Sequence, residues 1–182
     1  INTSVNINDR PSAFRYPRGN GVGITLPGID ETLEIGKGKV ITEGKQAAIL
    51  SFGGRLQECL KASEVLSSKG IKVTIVDARF AKPLDEKLIM EIAANHEVVV
   101  SIEEGSVGGF GSHVMQLLSN RGVFDKGLKF RAMILPDQFI DQDDPKKMYE
   151  KAGLDSDSIV GTIENALNSN VVIAQNKNKN SN

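Results

Sequence analysis

The stretch AAILSFGGRLQECLKASEVLSSKGIKVTIVD, Ala47 to Asp77, decides the fold. Its first six residues are an almost unbroken apolar run, the signature of a strand buried on both faces. Residues 55–68 then read as an amphipathic helix, with Gly70 placed to close its C-terminal end. Ile71 to Asp77 is β-branched and apolar again, a second buried strand. Two such strands separated by one helix predict a parallel pair joined by a crossover.

Working outward, the same beat continues. Residues 85–94 predict a helix with Asp85 as N-cap after Pro83, and EVVVSI (Glu97–Ile102) predicts a third buried strand. A glycine loop, a helix over 109–120, a strand over 129–135 and helices over 145–152 and 156–168 complete the series, while KGKVITEG before Ala47 predicts a short strand. The expected fold is α/β, a three-layer α/β/α domain of about five mostly parallel strands. No repeat of 20 to 50 residues is visible.

The flanks differ in character. Ser12 to Tyr16 is apolar and aromatic and stops at Pro17, which reads as a strand ending before a proline. Residues 20–36, NGVGITLPGIDETLEIG, carry several glycines and no sustained period, the composition of an interdomain connector. The expected organisation is therefore 1–19 as the end of an upstream domain, 20–36 as linker, 37–168 as the α/β domain and 169–182, rich in Asn and Lys, as a disordered tail. The opening INTSVNINDR has neither an initiator Met nor a signal pattern, so the chain reads as the C-terminal piece of a longer polypeptide.

Among 182 residues, 22 basic and 23 acidic side chains mix without a basic stripe, which argues against nucleic acid as partner. The absence of an apolar run near 18 residues argues against a membrane span. Cys59 is the single cysteine and cannot form an internal disulfide; it reads as a small buried hydrophobe in a cytoplasmic protein.

Several residue groups invite a chemical reading. Gly105, Gly108, Gly109 and Gly111 lie between a strand and a helix, where backbone N–H groups attract anions, but their spacing matches neither G-x-G-x-x-G nor a Walker loop. Close packing at the strand–helix turn is the expectation there. Glu103 and Glu104 stand at the C-terminal end of a parallel strand, the edge where open α/β sheets bind ligands. Successive strand residues face opposite ways, so the two carboxylates are expected to do structural work, at a helix N-terminus or an interface. His96 and His113 have no metal or triad spacing, and His96 suits a helix C-terminus. Asp77 and Arg79 read as an ion pair or turn contact.

The stretch FRYPRG, Phe14 to Gly19, is different in kind. Pro17 fixes its own φ, Tyr16 is restricted by that proline, and Gly19 permits a tight turn, so Arg18 projects from a stiffened corner. A guanidinium fork fits phosphate or carboxylate. A grip on an anionic substrate group and an interdomain ion pair both fit this geometry.

PSAFRYPRGNGVG, EIGKGKV, AAILSFG, VDARFAKPLDEKLI, HEVVVSIEEGSVGGFGS and LPDQFI, in this order and at these spacings, resemble the C-terminal third of the 1-deoxy-D-xylulose-5-phosphate synthase family. The resemblance covers about residues 10–168. It implies the transketolase C-terminal-domain fold with its first strand, about 38–43, antiparallel at an edge, preceded by the last strand of an upstream pyrimidine-binding domain. It implies a homodimeric thiamine-diphosphate-dependent transferase that joins pyruvate and D-glyceraldehyde 3-phosphate, releasing CO2 and forming 1-deoxy-D-xylulose 5-phosphate, a precursor of isoprenoids, thiamine and pyridoxal.

By the same resemblance Arg18 contacts the acceptor phosphate, Arg15 supports it or lies at an interface, and upstream domains hold thiamine diphosphate, Mg2+ and the catalytic residues. The piece alone is then expected to be inactive. The FIDQDDP loop departs from relatives that place a glycine there, which bears on the conformation of that loop. Alternatives are the C-terminal domain of a transketolase or of a 2-oxoacid dehydrogenase β-subunit, or a non-catalytic interaction module of the same fold.

Overall fold

The computed structural model describes residues 1–17, 21 and 23–169. A short helix α1 (Asn2–Val5) is followed by β1 (Lys39–Thr42), β2 (Ala47–Phe52), α2 (Leu56–Ser68), β3 (Val73–Asp77), α3 (Glu86–Asn95), β4 (Val98–Glu103), α4 (Phe110–Asn120), a 3-10 turn (Phe124–Lys126), β5 (Lys129–Met133), α5 (Pro145–Lys151) and α6 (Ser156–Asn168). The strands form one sheet in the order β1-β3-β2-β4-β5. β1 runs antiparallel to β3 at one edge, and the other pairings are parallel.

The apolar runs end up where their composition requires. β2 is central, with Ala47 paired to Val73 on one side and to Val98 on the other. Alternation then divides each strand between two cores. Ala47 and Ile49 join Val98, Val100 and Ile102 beneath α2 and α6, around Leu66, Ile159 and Ile163. Ala48 and Leu50 join Val76 and Val99 beneath α3 and α4, around Ile89, Phe110, Val114 and Leu118. The result is the expected three-layer α/β/α arrangement.

Local signals set the element ends. Asp85 caps α3 by accepting the Leu88 N–H at 3.1 Å, and its other oxygen accepts the Gly38 N–H at 3.1 Å, so one carboxylate ties the helix start to the approach to β1. Gly70 follows the last turn of α2 at φ +80°, a left-handed conformation that a side chain would disfavour. His96, just past α3, bonds Ile92 O through Nδ1 at 2.8 Å and Thr74 Oγ1 through Nε2 at 2.8 Å, which is the helix-end role its position predicted.

One expectation fails. Ser12 to Tyr16 forms no strand: residues 11–17 are irregular and all exposed. A strand is stable only when its backbone groups pair with a neighbour, and the described residues offer this segment none. The strand read at Ser12 to Tyr16 is therefore not formed among the described residues. Within it Phe14 and Tyr16 stack at 6.1 Å, and the Arg15 guanidinium lies over the Phe52 ring. The connector is clasped by α1, whose Asn2 donates to Gly28 O at 3.0 Å and Glu31 O at 3.1 Å while Thr3 Oγ1 accepts the Leu33 N–H at 2.9 Å. Of the tail 169–182, expected to be disordered, Ser169 is described, its Oγ donating to Ala166 O at 2.8 Å, and residues 170–182 lie outside the described part.

Candidate functional site

The C-terminal ends of β2 and β4 bring together the loops after both strands and the side chain of Arg15. Ligands of open α/β sheets bind at this edge. Its two successive carboxylates part to opposite faces, as strand geometry dictates.

Glu103 is 2 % exposed. Its Oε1 accepts the Gly111 N–H at 2.9 Å, one of the donors left unpaired at the start of α4. The glycines of the loop exist to make room for this carboxylate. A Cβ on Gly105 would lie 2.4 Å from Glu103 Oε2, and one on Gly109 would lie 2.4 Å from Oε2 and 2.6 Å from Oε1. A Cβ on Gly111 would meet Ser101 Oγ at 2.7 Å. Ser101 Oγ and Ser51 Oγ are buried and find no hydrogen-bond partner among the described residues.

Glu104 turns to the other face. Its Oε1 accepts from Arg55 Nε at 2.8 Å, with the two side chains 13 % and 15 % exposed. The Arg55 guanidinium lies 3.6 Å from the centre of the Tyr149 ring, a close cation–π contact. Burial and then the neighbouring Glu104 carboxylate raise the Tyr149 phenol above its ordinary pKa. Gly54 again supplies the space, since a Cβ there would lie 2.8 Å from Glu104 Oε1. Arg55 and Tyr149 carried no sequence signal: they meet only when α5 folds back over the end of β2.

Of the two arginines of FRYPRG, Arg18 lies outside the described residues. Arg15 sits at this edge, its Cζ 5.9 Å from the Phe52 ring centroid and its Nη1 3.6 Å from where a Cβ on Gly105 would stand. Asp77 and Arg79 form the expected turn contact, Arg79 Nε to Asp77 Oδ2 at 3.4 Å, with Arg79 at φ +57°. His113 is exposed on α4. Cys59 is fully buried under β2, and burial pushes its thiol up to about 12, which keeps it protonated and unreactive at neutral pH.

A diphosphate with Mg2+ does not fit these residues. The loop interior is already filled by a carboxylate, which would repel an anion, and no cluster of three His, Cys, Asp or Glu among the described residues could hold a metal ion. No helix among them is long and apolar enough to cross a membrane.

The family described as "Transketolase, C-terminal domain" matches residues 36–159. A split-gene transketolase, solved as an inactive β4 tetramer, is 30 % identical over 79 % of this chain, with a TM-score of 0.69, and the chain spans 46 % of its length. The transketolase of Campylobacter jejuni subsp. jejuni superposes over 71 % of this chain with a TM-score of 0.52; at 16 % identity it shares the fold, and the chain spans 18 % of its length. With its five-stranded sheet, antiparallel edge strand and matched core, the chain belongs to the transketolase C-terminal domain family.

Proposed function

We propose that this chain is the C-terminal part of a thiamine-diphosphate-dependent 1-deoxy-D-xylulose-5-phosphate synthase. In that protein it binds the phosphate of D-glyceraldehyde 3-phosphate through Arg18. Residues 1–19 then close the preceding pyrimidine-binding domain, 20–36 connect, and 37–168 form the third domain of a cytoplasmic homodimer. Thiamine diphosphate supplies the carbon–carbon bond chemistry, and other domains of the parent protein hold it together with Mg2+.

The observation that carries this reading is the segment FRYPRG itself, an aromatic–proline corner that leads into Arg18 from the ligand-binding edge of the sheet, where Arg15 rests on Phe52. The acidic groups of that edge already have partners: Glu103 is taken by Gly111 and Glu104 by Arg55. Binding energy from a remote phosphate orients the reacting aldehyde, and a conformationally restricted arginine delivers it with little entropy to lose.

The test is Arg18→Ala in the full-length enzyme. The KM for D-glyceraldehyde 3-phosphate rises by at least about tenfold, the loss of a charge-assisted hydrogen bond, while unphosphorylated D-glyceraldehyde is used as before. An unchanged KM for the phosphorylated acceptor removes the role given to Arg18. Transketolase activity is the second reading, favoured by the 30 % identical split-gene relative. Turnover of a ketose phosphate donor, with no release of CO2 from pyruvate, would establish it instead.

A further inference from the structure

We infer that Arg15 is the countercharge of the buried Glu103, and that this pair straps the segment Phe14 to Pro17 onto the end of the sheet. The strap is independent of the acceptor chemistry above and holds whatever reaction the parent protein performs. Glu103 needs a partner that its own loop does not supply. It is 2 % exposed, its Oε1 accepts the Gly111 N–H at 2.9 Å, and among the described residues no donor reaches Oε2. A carboxylate taken that far from water is costly unless a positive charge stands near it. Its neighbour Glu104 shows how this edge meets that cost: on the opposite face it is held by Arg55 at 2.8 Å.

Arg15 is placed to do the same for Glu103. Phe52 and Glu103 are partners across β2 and β4, so their side chains leave one face of the sheet together. The Arg15 guanidinium lies over that Phe52 ring, its Cζ 5.9 Å from the centroid, and Phe52 is itself steadied by stacking on the buried Phe110 at 5.0 Å. Gly105 is the window between the two charges. The point where its Cβ would stand lies 2.4 Å from Glu103 Oε2 and 3.6 Å from Arg15 Nη1, which puts the two atoms within about 6 Å of each other. One water bridges a gap of that size between charged groups.

The segment depends on this contact. Residues 11–17 are exposed and irregular, so no ladder fixes them to the α/β domain. Through Arg15 a stretch that precedes the connector in sequence is fastened to the end of the sheet. Arg15 is itself exposed, so the attraction is open to solvent on one side and weakens as salt screens it.

The experiment follows chymotrypsin cleavage after Phe14 in the full-length protein by mass spectrometry, under native conditions where the rate tracks the population of released segment. Each rate is divided by that of a peptide spanning residues 10–20 with the same substitution, which removes the effect of changing the residue beside the cut. Glu103→Gln keeps an oxygen for the Gly111 N–H and loses the charge. Arg15→Gln and Glu103→Gln each speed cleavage by about two- to fivefold, the scale of an ion pair with one exposed partner, and the double variant is no faster than either alone. Arg15→Lys keeps most of the protection. Salt at about 0.5 M speeds cleavage of the wild type and leaves the variants as they were.

Effects of the two substitutions that multiply in the double variant overturn the inference. So does a Glu103→Gln variant cleaved like the wild type, since Arg15 is then held by Phe52 without the carboxylate. If Glu103→Gln does not fold, the wild type and Arg15→Gln are compared as salt is raised. A difference between them that salt abolishes supports the pair, and one that salt leaves unchanged overturns it.

Discussion

Gly109 and Glu103 fit together because Gly109 has no side chain: a Cβ there would stand 2.4 Å from one carboxylate oxygen and 2.6 Å from the other. Glu103 is buried at the end of β4, and its glycine-lined seat is how this edge tolerates a carboxylate. The loop is a cradle for an internal anion.

Gly109→Ala must therefore displace a buried carboxylate or the start of α4. We expect a loss of about 2–3 kcal/mol, the range for overpacking a close-fitted site, read from the urea midpoint at unchanged m-value. Gly108→Ala is the comparison: nothing stands within 4 Å of its Cβ, although its φ of +95° adds backbone strain of about 1–2 kcal/mol. A carboxylate that could simply move aside would leave Gly109→Ala no worse than Gly108→Ala.

Arg55 holds Glu104 and Tyr149 together, so Arg55→Ala leaves a mostly buried carboxylate unpaired. The expected cost is about 2–3 kcal/mol. Glu104→Ala on top of it should cost much less than Glu104→Ala alone, with a coupling of about 1–2 kcal/mol in the double-mutant cycle. Additive losses would mean that the 2.8 Å contact contributes nothing to stability.

Cys59 is fully buried with its thiol pushed up to about 12. It should resist alkylation at pH 8 in the native protein and react once urea unfolds it. The linkage has a definite sign. The unfolded thiol ionises from about pH 9 and the folded one stays protonated to about 12. Stability is thus unaffected below pH 9 and falls through that window, by up to about 1.4 kcal/mol per pH unit from this group. Tyr149, also raised, adds to the decline above pH 10. Cys59→Ala should flatten the part of the pH profile between 9 and 12, measured by denaturant titration.

Asp85→Ala removes two hydrogen bonds at once, to the Leu88 and Gly38 N–H groups. A loss of about 1–2 kcal/mol is expected. Amide exchange should quicken at both Leu88 and Gly38; a change at Leu88 alone would show that the tie toward β1 is dispensable.

Much of this molecule was legible before folding. AAILSF is β2 to the residue, Asp85 is the α3 cap, and Gly70 ends α2, because each depends on local periodicity or on a single backbone conformation. The separation of Glu103 from Glu104 was equally legible, since alternation along a strand is geometry alone. Ser12 to Tyr16 misled for the complementary reason: apolar and aromatic composition favours a strand, but whether one forms depends on a partner that composition does not describe.

The sequence by itself determined the α/β beat, the buried strands and the stiff corner before Arg18, all consequences of hydrophobic period and of the torsions that Pro and Gly permit. Only the tertiary structure decided what meets at the sheet edge: Glu103 among the glycines, Arg55 between Glu104 and Tyr149, and Arg15 on Phe52. Those contacts join residues far apart in the chain. Their partners are chosen by how the layers pack, and no local pattern encodes that choice.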